Sequence, residues 1–109
     1  MGSTLGCRLK ILGIVGYKLD EFDNLLCVDS IKTPIVVLPY GLKGLLSTGF
    51  SGLDLEVLKF NKDLCNFELT SLSNCNKLRE LYVYERQLDL VKDLKFLYPN
   101  LQILIRKGL

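Results

Sequence analysis

The chain has 109 residues, 49% of them hydrophobic and 24% charged, with a formal net charge of +2 and neither histidine nor tryptophan. That length suits a single domain over 1–109, the composition is too apolar for a disordered chain, and no run reaches the ~18–20 apolar residues that span a bilayer. Without histidine the usual general base and the commonest metal ligand are missing, so no enzyme, cofactor or metal is expected.

The charge is mild and lies late in the chain. Up to Asp54 five basic residues balance five acidic ones; beyond it nine basic residues face seven acidic ones. A phosphate-gripping domain usually carries a basic stripe and a pI above ~9, against about 8.3 here. Cys7, Cys27, Cys65 and Cys75 are too far apart for zinc pairs and read as free thiols in a reducing compartment. Arg8 and Lys10 precede an apolar run too short for a secretory signal, and Gly6 stands where myristoylation needs Ser or Thr. A cytoplasmic protein with no membrane contact is expected.

Leucine, at 25 residues, organises the rest. Leu78-Arg-Glu-Leu-Tyr-Val83 has the form L-x-x-L-x-h, and stepping by 23 residues finds the same form near 9, 32, 55 and 101. At the first, fourth and sixth positions thirteen of fifteen sites are apolar, where a 49% composition predicts about seven by chance. Fourth and sixth positions share one face of a strand. One such strand cannot bury its face alone, so the copies are expected to pair as five parallel strands.

The returns follow in chain order. Leu19, Phe22, Leu25 and Leu26 recur at helical spacing behind Asp20 and Glu21, predicting a helix after the first strand. The return over 39–49 holds three glycines and predicts irregular or 3₁₀ structure, and the Asn- and Ser-rich return over 61–77 predicts only a short helical turn. Leu88, Val91, Leu94 and Tyr98 predict a last helix that Pro99-Asn100 stops.

These residues resemble the leucine-rich repeat. Leu72-Ser-Asn-Cys-Asn-Lys-Leu-Arg-Glu-Leu-Tyr-Val83 is similar to BspA-type repeats, and Phe96-Leu-Tyr-Pro-Asn-Leu-Gln-Ile-Leu-Ile105 to F-box-type repeats. The asparagine column of typical repeats reads Tyr17, Tyr40, Asp63 and Arg86 here, and no cysteine cluster caps either end. The resemblance implies an α/β solenoid with a five-strand parallel sheet on its concave face and helical or irregular returns on its convex face. It also implies that outward strand residues bind protein.

Those outward columns read Lys10, Ile11, Gly13 and Val15; Thr33, Pro34, Val36 and Leu38; Glu56, Val57, Lys59 and Asn61; Arg79, Glu80, Tyr82 and Tyr84; Gln102, Ile103, Ile105 and Lys107. The first two sets form a nearly apolar surface that needs cover. The fourth gathers Arg and Tyr, the types enriched at binding hot spots. Lys59, Arg79, Tyr82, Tyr84, Ile103, Ile105 and Lys107 are therefore the expected partner-binding residues. The last strand, expected to end without a cap, points to an obligate subunit of a larger assembly. The alternative is a structural subunit of a ribonucleoprotein, touching RNA through Lys92, Lys95, Arg106 and Lys107.

Overall fold

The computed structural model describes residues 9–107; Cys7, Arg8 and the myristoylation segment lie outside them. Among these described residues eight strands are present: β1 (Ile14–Leu19), β2 (Asn24–Ile31), β3 (Ile35–Val37), β4 (Gly44–Leu45), β5 (Val57–Lys59), β6 (Asn66–Phe67), β7 (Glu80–Tyr84) and β8 (Gln102–Arg106). They form two four-stranded sheets, a mixed one in the order β1-β2-β4-β6 and a parallel one in the order β3-β5-β7-β8. From β3 to β7 the chain alternates between the two sheets. Among the described residues helix is confined to 3₁₀ turns at Leu69–Leu72 and Glu85–Gln87 and to two single turns, α1 (Leu88–Val91) and α2 (Leu94–Leu97).

This corrects the expected leucine-rich-repeat solenoid. The parallel sheet has four strands where five were expected, and a second sheet stands where helical returns were expected. The first copy, over 9–14, gives no strand to the parallel sheet, because Gly13 turns the chain with φ +88, a left-handed conformation that breaks an extended run. Residues 14–31 instead form a hairpin, with Ile14 opposite Ile31 and Lys18 opposite Cys27.

The hairpin turn replaces the predicted first helix. Asp23 N–H donates to Asp20 O at 3.2 Å, and Asp23 itself sits at φ 62. That is a type I turn followed by one left-handed residue, a common three-residue hairpin loop. The Asp20 carboxylate holds it by accepting from Phe22 N at 2.8 Å, Asn24 N at 2.9 Å and Asn24 Nδ2 at 3.0 Å. Partial burial pulls the Asp20 carboxyl upward, but the bonds from Asn24 and Phe22 outweigh it and hold the group below its ordinary value.

The next two returns contain β4 and β6. Gly44 is paired between Asn24 and Asn66, and a side chain there has no room. A Cβ would meet Asn24 Oδ1 at 2.4 Å and the Asn66 carbonyl at 2.8 Å. The predicted last helix is present only as α1 and α2, separated at Lys92 and Asp93, with Val91 and Leu94 fully buried.

The parallel sheet is in register at Ile35↔Val57, Val57↔Glu80 and Glu80↔Gln102, steps of 22, 23 and 22 residues. Buried apolar side chains form one cluster running from Ile11 to Leu101 and including Phe50, Leu58, Phe60, Leu81 and Val83. Each fully buried leucine or phenylalanine of this kind contributes about 2 kcal/mol. Phe60 and Phe67 tie the two sheets together through tilted rings 5.8 Å apart.

Polar groups inside are bonded with little left over. Gln87 is buried; its Nε2 donates to Asn61 O at 2.8 Å and Leu64 O at 3.0 Å, and its Oε1 accepts from Tyr84 N at 2.8 Å. It anchors the 3₁₀ turn after β7 onto the preceding return. Tyr98 does the same one layer on, donating its hydroxyl to Leu72 O and accepting from Cys75 N at 2.9 Å. Among the described residues no helix is long and apolar enough to cross a membrane.

Candidate functional site

Side chains alternate along each strand, so the residues of the parallel sheet that face away from the core follow from the register. Leu58, Leu81 and Val83 point into the core. Their strand neighbours Lys59, Glu80, Tyr82 and Tyr84 therefore point out. In a parallel ladder paired residues share a face, which places Val37, Lys59, Tyr82 and Leu104 in one outward row. Ile35, Val57, Glu80 and Gln102 form the row beside it, and Tyr84 pairs with Arg106 in a third.

Cations cover both tyrosine rings of this face. Lys59 Nζ lies 4.9 Å from the centroid of the Tyr82 ring, and the Arg106 guanidinium lies 5.3 Å from that of Tyr84. Such contacts are worth about 0.5–1 kcal/mol when exposed. They restrain the two rings beside Lys59 and Arg106. Arg106 is further fixed by donating Nη1 to Phe60 O at 2.7 Å.

Charged groups at the edge of the rows are internally paired. Arg79 bonds Glu80 at 2.9 Å and approaches Glu56 at 3.5 Å, and Tyr82 donates its hydroxyl to Glu80 Oε1 at 3.2 Å. Partial desolvation first, then the Glu80 bond and charge, push the Tyr82 phenol above its ordinary value, with Arg79 opposing. Tyr82 is therefore a neutral hydrogen-bonding group around neutrality.

The structure brings Lys59, Arg79, Tyr82 and Tyr84 together as expected residues of one face. It places others differently. Ile103 and Ile105 pair with Leu81 and Val83, so they belong to the core side and not to the outward row. Ile103 packs half-buried against the core, and Ile105, at the strand's end, is 44% exposed. Val36 and Leu38, expected outward, are buried, and Ile35 and Val37 are exposed in their place. Ile11 and Asn61 are buried as well. For Val36, Leu38, Ile103 and Ile105 the cause is one residue of register: a step of 22 where 23 was assumed turns every side chain of a strand over.

An apolar surface at the first copies does exist, with other members. Leu12, Ile35 and Val37 are exposed around a groove of about 420 Å³ beside Lys10 and Pro39. At the opposite end of the sheet, Lys62, Tyr84, Arg86, Arg106 and Lys107 line an open cleft of about 760 Å³. Leu104 and Arg86 are not among the expected site residues, and the signal that finds Leu104 is the 22-residue step from β7 to β8; Arg106, expected only as an RNA contact, stands beside Tyr84. Of the four cations expected to act together, only Arg106 and Lys107 line this cleft; Lys95 donates instead to Leu101 O at 2.7 Å.

Cys75 is buried with its thiol against Phe50 O at 3.2 Å, and burial pushes that thiol up to about 11. Cys65 is exposed and Cys27 half-buried, both free thiols. Among the described residues no group of three or more His, Cys, Asp or Glu side chains is placed to hold a metal ion. Comparison with protein-family models, with curated proteins and with solved structures finds no match to this chain.

Proposed function

We propose that this chain is a non-enzymatic protein-docking module that binds a partner protein through the outward face of its parallel sheet, as a subunit of a larger assembly. The observation that carries the reading is the Tyr82–Tyr84 pair, with Lys59 and Arg106 over their rings at 4.9 and 5.3 Å. Tyrosine and arginine dominate the energetics of protein interfaces because each offers a large contact area with a polar end. Here the rings are pre-positioned on strands, so little side-chain entropy is lost when a partner lands on them. Ile35 and Val37 extend the same face with apolar surface that a partner would remove from water.

RNA contact is the weaker reading. Base stacking needs open aromatic faces, and each of these rings already has a cation over it. The test is capture of partners by the tagged chain, with and without nuclease and at high salt, beside a Tyr82→Ala/Tyr84→Ala variant. Partners that survive nuclease and salt and weaken about a hundredfold or more with the variant support protein docking. Partners lost to nuclease, or held equally by the variant, overturn it.

A further inference from the structure

We infer that the cleft beyond the C-terminal ends of β5, β7 and β8 binds a phosphate monoester carried by a partner protein. The inference rests on the reading of the chain as a protein-docking module and names one group that its partner presents.

The site starts from two arginines. Arg86 follows β7 and Arg106 ends β8, and both line the cleft. Each guanidinium is held by a backbone carbonyl of the segment after β5: Arg106 Nη1 donates to Phe60 O at 2.7 Å, and Arg86 Nη2 donates to Lys62 O. Phe60 and Lys62 are separated by at most about 7 Å of chain, so the two guanidinium groups are drawn to one place. A guanidinium carries five N–H donors, and the carbonyl bond uses one of them.

Positive charge is in excess there. Arg79, at the other end of β7, is neutralised by Glu56 and Glu80. Among the described residues neither Arg86 nor Arg106 pairs with a carboxylate. Lys107 adds a third cation to the cleft, and Glu85 is the one carboxylate among its lining residues, which leaves an excess of two positive charges. Lys62 also lines the cleft but is already engaged, and it is left out of that balance.

The ligand follows from the donors. Two positive charges match the charge of about −2 on a phosphate monoester. A carboxylate has two oxygens and is saturated by a single guanidinium fork, whereas a phosphate monoester offers three and accepts from two guanidinium groups at once. Nucleic acid fits less well: its bases need open aromatic faces, and the Tyr84 ring in this cleft already has Arg106 over it at 5.3 Å. Clustered arginines recognise phosphorylated protein segments through the same donors. Tyr84 belongs both to the cleft and to the outward face of the sheet, so a partner seated on that face reaches the cleft with a phosphorylated side chain.

The test is fluorescence anisotropy with a short labelled peptide of glycine and alanine that carries one central phosphoserine. Three comparison probes are used: the same peptide with serine, the same peptide with glutamate, and a short oligouridylate. The expected result is saturable binding of the phosphopeptide that falls about tenfold or more for the serine and glutamate peptides and for Arg86→Ala. Arg86→Lys, which keeps the charge but loses the fork, is expected to weaken binding as well, and it keeps the test open if circular dichroism shows Arg86→Ala to be unfolded. Lys92→Ala, which removes an exposed charge outside the cleft, is expected to leave binding unchanged. The chain has no histidine, so between about pH 7.5 and about pH 5 the second ionisation of the phosphate, near 6, sets the response, and binding is expected to weaken as pH falls. No binding up to about 1 mM, equal binding of the serine or glutamate peptide, an equal loss with Lys92→Ala, a response flat with pH, or tighter binding of the oligouridylate overturns the proposal. Failure here leaves the partner capture at Tyr82 standing, and failure of that capture with the phosphopeptide still bound overturns only the outer-face reading.

Discussion

Two buried side chains show how single residues hold this fold. Gln87 uses both ends of its amide, and nothing else nearby can replace two donors and one acceptor at once. Gln87→Ala would strand two carbonyls and one N–H away from water, each costing about 1 kcal/mol or more, so a loss of about 3 kcal/mol is expected in urea unfolding. Gln87→Glu keeps the shape but turns oxygen toward the Asn61 and Leu64 carbonyls, and is expected to cost at least as much. Cys75 makes a pH prediction. Its thiol titrates near 11 in the folded chain against an ordinary value of 9.0. Between these values the unfolded chain has released the proton and the folded chain keeps it, so stability is full below about pH 9 and declines as pH rises toward 11. The loss amounts to up to about 2 kcal/mol. Urea midpoints at about pH 8 and about pH 10.5 would show it, and Cys75→Ala would shrink the difference, leaving the contributions of Tyr98 and Tyr82, whose phenols are also raised.

At the scale of elements, the short strands carry the closest packing. β4 lies between β2 and β6 only because Gly44 lacks a side chain. Gly44→Ala would place a methyl 2.8 Å from the Asn66 carbonyl, and an expected loss of about 2–3 kcal/mol in thermal or urea unfolding follows from overpacking. These strands were not legible in sequence. Gly44–Leu45 and Asn66–Phe67 have two residues each, too few to show a period of two against a background rich in leucine. The hairpin was misread for a different reason. Asp20 and Glu21 before an apolar run look like a helix start, yet the Asp20 carboxylate closes a turn on Phe22 and Asn24 instead. The local signals for a capped helix and an Asx-stabilised turn use the same residue types. What was legible is the strand over Glu80–Tyr84, whose alternation of half-buried and buried residues is complete.

For the whole molecule, the candidate face was legible wherever the repeat step was constant. Lys59 and Tyr82 stand 23 residues apart and pair directly, so the assumed period placed both correctly. Where the step shortens to 22, at β3 and β8, inside and outside exchanged, and Val36, Leu38, Ile103 and Ile105 were assigned to the wrong side. Periodicity in sequence reports that strands recur; register, which decides the faces, is settled by the length of each return and by packing. The second sheet was beyond reach for the same reason, because it depends on how returns meet one another. In the proposed function a partner protein covers the Tyr82–Tyr84 face. Oxidative footprinting of the chain, free and in its captured complex, reads this directly, and Tyr40 at 81% exposure serves as an internal reference. Oxidation of Tyr82 and Tyr84 is expected to fall several-fold in the complex, with Tyr40 unchanged. Protection of Tyr40 with Tyr82 and Tyr84 as reactive as before would contradict it.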